Sequence, residues 1–164
     1  MKTTETRNAS SAKLKQMLQG TTAIYTLKHN FKNIKEARKW AKKNIVGIYK
    51  NDITDEDIRV SSKAIDKYLS ESAIKKSVSQ CAHLSALIKI PELIKTAILK
   101  DIHDDTNQDK NIKEIQRLYG AIIYEGNIYP VKITIKVSQI EGSKAYSYEV
   151  MKIENPNGSC NHSG

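Results

Sequence analysis

The sequence predicts an α+β protein: N-terminal helices followed by an antiparallel three- to four-stranded meander, with the helices packed on one sheet face. Three observations carry this expectation. Between residues 34 and 102 apolar residues recur mainly at helical spacing. After the polar run HDDTNQDKN at 103–111 the apolar period changes to two. Turn residues then punctuate the chain at Glu125-Gly126-Asn127, Glu141-Gly142-Ser143 and Asn155-Pro156-Asn157-Gly158.

Residues 1–10 are polar, and Ser10 or Ser11 can cap a short helix that Gly20 ends. TTAIYTL at 21–27 reads as a weak strand. Asn33 caps a helix from Ile34 to about Ile45, with Ile34, Ala37, Trp40, Ala41 and Ile45 on its apolar side and Gly47 as its stop. KNDITDE at 50–56 is a polar turn, and Ile58–Ser61 a short strand. Ser62 caps a helix through Ala64, Ile65, Tyr68 and Leu69, and a second helix begins near Ser70 or Ser72. A third carries Ala82, Leu84, Leu87, Ile88 and Ile90. Pro91 either opens a new helix or kinks this one, and the helical apolar face continues to about Ile102.

In the meander, Ile115–Tyr124 is the first strand. In the second, Val131, Ile133, Ile135 and Val137 share one face, and Lys132, Thr134 and Lys136 the other. Residues 145–153 form the third, with Tyr146, Tyr148 and Val150 on one side. The Lys132/Lys136 face, with the tyrosines as further candidates for it, can bind RNA; such a face is more often simply the solvated side of an antiparallel sheet. The expected organisation is a polar and basic segment at 1–20, a basic helical extension at 21–50, an α+β domain at 51–154 and a disordered tail at 155–164.

Of the 164 residues, 39% are hydrophobic, enough for one core, and the net charge is +9. The charge is unevenly placed. Residues 1–50 carry twelve bases and two acids, and the remainder sums to −1. Such a basic arm points to an anionic partner, nucleic acid first, with RNA favoured, unless it is only a solubilising extension. Within it Lys35, Arg38, Lys39, Lys42 and Lys43 surround the apolar side of the 34–45 helix as candidate nucleic-acid contacts. The start shows no apolar core of a secretory signal, and no run is long enough to cross a bilayer, so no membrane and a cytoplasmic setting are expected. Cys81 and Cys160 read as two reduced thiols. Oligomeric state is left open.

No cofactor or metal is called for. There is no Gly-rich phosphate loop, nucleophile elbow or zinc spacing. Asp105, Asn107 and Asp109 resemble the start of a calcium loop, but Lys110 stands where glycine is needed and Gln116 where the bidentate Glu belongs. His83 is the candidate acid/base, since an imidazole titrating near neutrality can cleave RNA through its 2′-hydroxyl. The developing phosphorane charge then needs a cation, for which Lys67, Lys75, Lys132 and Arg117 are candidates. Tyr146 and Tyr148 could stack bases. The competing reading is a structural His83 packed under the sheet.

The stretches IRVSSKAIDKYLSESAIKKSVS (58–79), AHLSALIKIPELIKTAIL (82–99), NIKEIQRLYGAI (111–122) and AYSYEVMKIE (145–154) carry a resemblance. In that order they are similar to the large polyvalent protein-associated domains of phages and conjugative elements, particularly the third type. The basic helix at 31–45 is a further element such domains often have in front. More distantly the plan is similar to the barnase–EndoU–colicin–RelE nuclease group, which implies a metal-independent RNase. His83 resembles a histidine of those relatives, but no histidine falls on a predicted strand. Two functions therefore stand: a metal-free endoribonuclease or toxin-like RNase, and a non-catalytic module that binds nucleic acid or other domains of a larger parent protein.

Overall fold

The computed structural model describes residues 20–104, 112–140 and 143–153. The expected helix before Gly20, the calcium-like loop, the Glu141-Gly142 turn and the tail from 154 lie outside them.

In chain order the elements are β1 (Ala23–Tyr25), α1 (Ile34–Asn44), β2 (Gly47–Lys50), β3 (Asp57–Val60), α2 (Ser62–Tyr68), α3 (Glu71–Lys76), α4 (Gln80–Ala86), a 3-10 turn (Leu87–Lys89), α5 (Ile90–Thr96), β4 (Ile98–His103), β5 (Ile112–Tyr124), β6 (Asn127–Ile140) and β7 (Ser143–Ile153). The helix starts are set by side-chain caps. Asn33, Ser61, Ser70 and Ser79 each accept from the backbone N–H three residues on, satisfying donors that the first turn leaves free. The cap of α2 is thus Ser61 rather than Ser62. Pro91 sits in the first turn of α5, where its missing N–H costs nothing.

The strands form one sheet in the order β1-β5-β6-β7-β3-β2, with β4 also paired to β5. The fold is α+β, and β5-β6-β7 are the expected antiparallel meander. The whole sheet, however, is mixed. β3 runs parallel to β7 through Ile58↔Tyr146, and β1 parallel to β5 through Ala23↔Ala121. A parallel pair needs a long crossover, and the chain between β3 and β7, with helices α2–α5 and strands β4–β6, supplies one. β1 finds room because β4 pairs with β5 only over residues 115–119, leaving the edge at 121–123 uncovered.

Two segments differ from the sequence expectation. The helical run does not reach Ile102: α5 ends at Thr96, and Ile98–His103 is β4. Its end is fixed from outside. The fully buried Asn51 donates through Nδ2 to Ile94 O at 2.7 Å and Ala97 O at 2.8 Å, taking two carbonyls a further turn would have used. Asn51 Oδ1 accepts from Ile53 N at 3.0 Å and Thr54 N at 2.9 Å, so one side chain ties the 51–54 turn to α5. The second difference is Gly47, which opens β2 rather than merely stopping α1. Tyr49 on that strand donates to Ile45 O at 2.6 Å, closing the corner.

The helix-covered face carries Ile24, Ile58, Val60, Leu118, Ile122, Val131, Ile133, Ile135 and Ile153, all buried. Against it lie Ala64, Ile65, Tyr68, Leu87, Ile90, Leu93 and Ile94 from the helices. Gly120 lets α5 approach closely, since a Cβ there would stand 3.3 Å from Leu93 Cδ2. The segment 21–50 shares this core: Ile24, Ala37, Ala41 and Ile45 belong to it. The β5–β6 hairpin turns on Glu125 (φ 49°) and Gly126 (φ 78°) between the paired Tyr124 and Asn127, a two-residue turn whose positive φ values match the strand twist.

A register shift between β6 and β7 redistributes the last strand. Thr134 pairs with Val150, but Ile135 pairs with Tyr148, so Glu149 is the extra residue. Tyr146 and Tyr148 therefore align with Val137 and Ile135 on the helix side, and Val150 aligns with Thr134. Neither tyrosine is on the Lys132/Lys136 face.

Candidate nucleic-acid interface

Helix α1 is held at both ends and along one side. Asn33 Oδ1 accepts from Glu36 N at 2.8 Å, and Glu36 Oε2 accepts from Lys32 N, one residue before the cap, at 2.8 Å, so two backbone donors at the helix start are satisfied. Glu36 in the first turn and Lys42 and Lys43 in the last complement the helix dipole. Ala37 and Ala41 are buried, and Trp40 packs on Phe31 with ring centroids 5.6 Å apart. Small residues on the inner side let the helix lie close to the domain, so its charged side is fixed in direction.

The five candidate cations of α1 separate into two groups. Asp66 of α2 draws in Arg38 and Lys42: its Oδ1 lies 3.2 Å from Arg38 Nε and 2.9 Å from Lys42 Nζ. These pairs are half exposed and worth at most about 1 kcal/mol each, but they orient both side chains toward α2. Lys35, Lys39 and Lys43 are exposed and form no ion pair with a described residue. Spaced by four, they make one stripe along the solvent side of the helix. The exposed Lys32 precedes them.

His83 on α4 is only 1% exposed. Its Nε2 lies 2.7 Å from Tyr68 O, so this nitrogen donates and Nδ1 carries the lone pair. Nδ1 is buried with no hydrogen-bond partner. The Tyr68 hydroxyl donates back to His83 O, and the two rings stack with centroids 4.0 Å apart at 14°. The pair thus locks the end of α2 to α4. Burial lowers the His83 pKa below its usual 6.5, with the Tyr68 carbonyl opposing in part. Burial, and then Tyr148, hold the Tyr68 hydroxyl well above its usual 10.0.

The other residues singled out for catalysis are dispersed. Lys75 is exposed on α3 and pairs with Glu71 at 2.8 Å. Tyr148 is 2% exposed, inside the core, while Tyr146 is half buried on the same side. Burial first, and then Glu56, raise the Tyr146 pKa. Arg117 and Lys132 lie across the sheet from these groups, in register with Thr134 and Tyr119 respectively. Arg117 Nε is buried without a hydrogen-bond partner. His83 and the tyrosines are thus on the helix side, Arg117 and Lys132 on the other, and Lys75 at the surface. Among the described residues no group of three or more His, Cys, Asp or Glu could hold a metal ion, and no helix is long and apolar enough to cross a membrane.

Two residues that organise these features escaped the sequence reading. The Asn33 cap that starts α1 was legible, but Asp66, which sorts its cations, is 24 residues from Lys42. Tyr68, the partner of His83, is 15 residues away, and only the packing of α2 on α4 joins them.

A helix-backed mixed sheet with a basic helix packed into the same core defines an α+β domain with one strongly cationic edge. The chain belongs to the large polyvalent protein-associated domain 3 family, whose model matches residues 28–146. It is thus a domain of the large polyvalent proteins of mobile elements, and the basic helix α1 falls within the matched span. No curated protein and no solved structure matches the chain.

Proposed function

We propose that this domain is a non-catalytic binding module that holds nucleic acid against the outer side of α1. The observation that carries the reading is the sorting of charge on that helix: Asp66 engages Arg38 and Lys42, while Lys35, Lys39 and Lys43 face solvent in one row. A row of lysines on a rigid helix suits a phosphate backbone, which rewards charge spacing and needs no base-specific geometry. RNA is the favoured ligand, and other domains of the parent protein are the remaining candidate partners.

The test is fluorescence anisotropy with single-stranded RNA across 50–200 mM salt, values set by the usual range for such titrations. Each phosphate contact on a single strand contributes about 0.7 to the slope of log K against log salt. The Lys35→Gln/Lys39→Gln/Lys43→Gln variant should lower the slope by about 2 and weaken binding about a hundredfold at 0.1 M salt. The Arg38→Gln/Lys42→Gln variant should lose much less. An unchanged slope in the triple variant would refute the assignment.

The ribonuclease reading rests on His83, whose ring would have to leave the core to reach a 2′-hydroxyl. Incubating RNA with the protein in EDTA, alongside His83→Ala, separates the two. RNA left intact by both is the outcome expected of a binding module. Cleavage by the unsubstituted protein alone would restore the enzyme.

A further inference from the structure

Among the described residues strand β1 ends the sheet, so one side of its backbone is free of β5. Thr26 N donates to Ile123 O at 2.9 Å, and Ile24 is in the core. In a parallel ladder alternate residues bond to the same neighbour. Ile24 and Thr26 thus face β5, while the backbone groups of Ala23 and Tyr25 turn to the outer edge. The side chains here are unusual for a protein surface. Tyr25 is 77% and Leu27 85% exposed. Tyr25 is in register with Ile123, and Ile123 with Ile128, itself 41% exposed, so an apolar row crosses three strands.

Exposed edges are ordinarily blunted by lysine, proline or a bulge. The opposite edge strand β2 also exposes Ile48, at 65%, but it carries a lysine, Lys50. The stretch Thr21–Leu27 contains no charge and no proline. Its pattern is also self-complementary. An antiparallel pairing about Ile24 sets Tyr25 against Ala23 and Leu27 against Thr21, large over small each time, and brings no like charges together.

We propose that the outer edge of β1 is a self-association surface, on which a second copy of this chain adds its own β1 antiparallel around a two-fold axis at Ile24. About seven residues a side is far fewer than the roughly 20–30 of a standard interface. The dimer is therefore weak and concentration-dependent. Each copy carries a net charge of +9, so added salt should strengthen the dimer by screening. Nucleic-acid binding through α1 has the opposite salt dependence, and the two readings stand or fall separately.

Sedimentation equilibrium of the full chain without nucleic acid, over micromolar to millimolar concentration, tests this. The expected result is a monomer–dimer equilibrium that tightens with salt and weakens at least tenfold in Tyr25→Lys and in Leu27→Lys. Both side chains are exposed, so both variants should keep the circular dichroism spectrum and melting temperature of the parent. A monomer at every concentration would overturn the proposal. So would a dimer that persists in both variants, because it would be formed elsewhere.

Discussion

Asn51→Ala removes a side chain that is fully buried and serves both ends of a corner. Its Nδ2 holds Ile94 O and Ala97 O, and its Oδ1 holds Ile53 N, Thr54 N and the Thr54 hydroxyl at 3.2 Å. Truncation strands two carbonyls and two amides. Each buried orphan costs about 1–3 kcal/mol, but the turn can open and admit water to some of them, so the sum is not additive. A loss of about 3–4 kcal/mol follows, which for a chain of this size lowers the melting temperature by roughly 10 °C. Asn51→Asp sharpens the test. The introduced carboxylate keeps the accepted bonds but sets an oxygen where Nδ2 now meets two carbonyls. Burial and these carbonyls raise the folded pKa of that group above its unfolded value of about 3.9. Between those two pKa values the folded state binds more protons than the unfolded one. The penalty is therefore relieved as pH falls toward about 3.9 and complete above the folded pKa. Urea denaturation of the three proteins at several pH values reads both effects. A loss below about 1 kcal/mol for Asn51→Ala, or no difference in pH profile for Asn51→Asp, would refute this account of how α5 is ended.

Two further outcomes follow from the geometry. Burial depresses the His83 pKa below 6.5, so the unfolded chain takes up the proton first. Stability from this group is complete above about 6.5 and falls as pH drops toward the folded pKa. His83→Phe should remove that component of the pH slope, measured as the difference between the two denaturation series; parallel series would contradict the buried position of the ring. Gly126→Ala places a side chain at φ 78° with no atom within 4 Å of its Cβ, so its cost is backbone strain alone, about 1 kcal/mol by thermal melting, and a neutral result would rule out the two-residue turn.

The secondary elements that rest on local chemistry were readable from the sequence. Asn33 and the helical spacing of Ile34, Ala37, Trp40 and Ala41 marked α1, the alternation Val131, Ile133, Ile135, Val137 marked β6, and Glu125-Gly126 marked the hairpin. Each depends on residues within a few positions of one another. Two of the stretches that differ from the expectation depended on distant ones. Ile98–His103 continues an apolar pattern that suits either helix or strand, and Asn51, 43 residues from Ile94, decides between them by taking the carbonyls of α5. Tyr146 and Tyr148 kept their alternation, but the extra Glu149 and the pairing with β6 set which face they joined.

The candidate site divides in the same way. Composition alone located the excess positive charge in the first 50 residues, because charge is a local property of the chain. Which lysines are available was decided by Asp66, brought to α1 by the packing of α2. His83 shows the limit most directly. Its imidazole is the same chemical group in the core or in a cleft, and its sequence neighbours do not record which. Tertiary packing placed it against Tyr68, excluded water, and gave its Nε2 a backbone carbonyl to hold, because burying an imidazole requires a partner for its N–H.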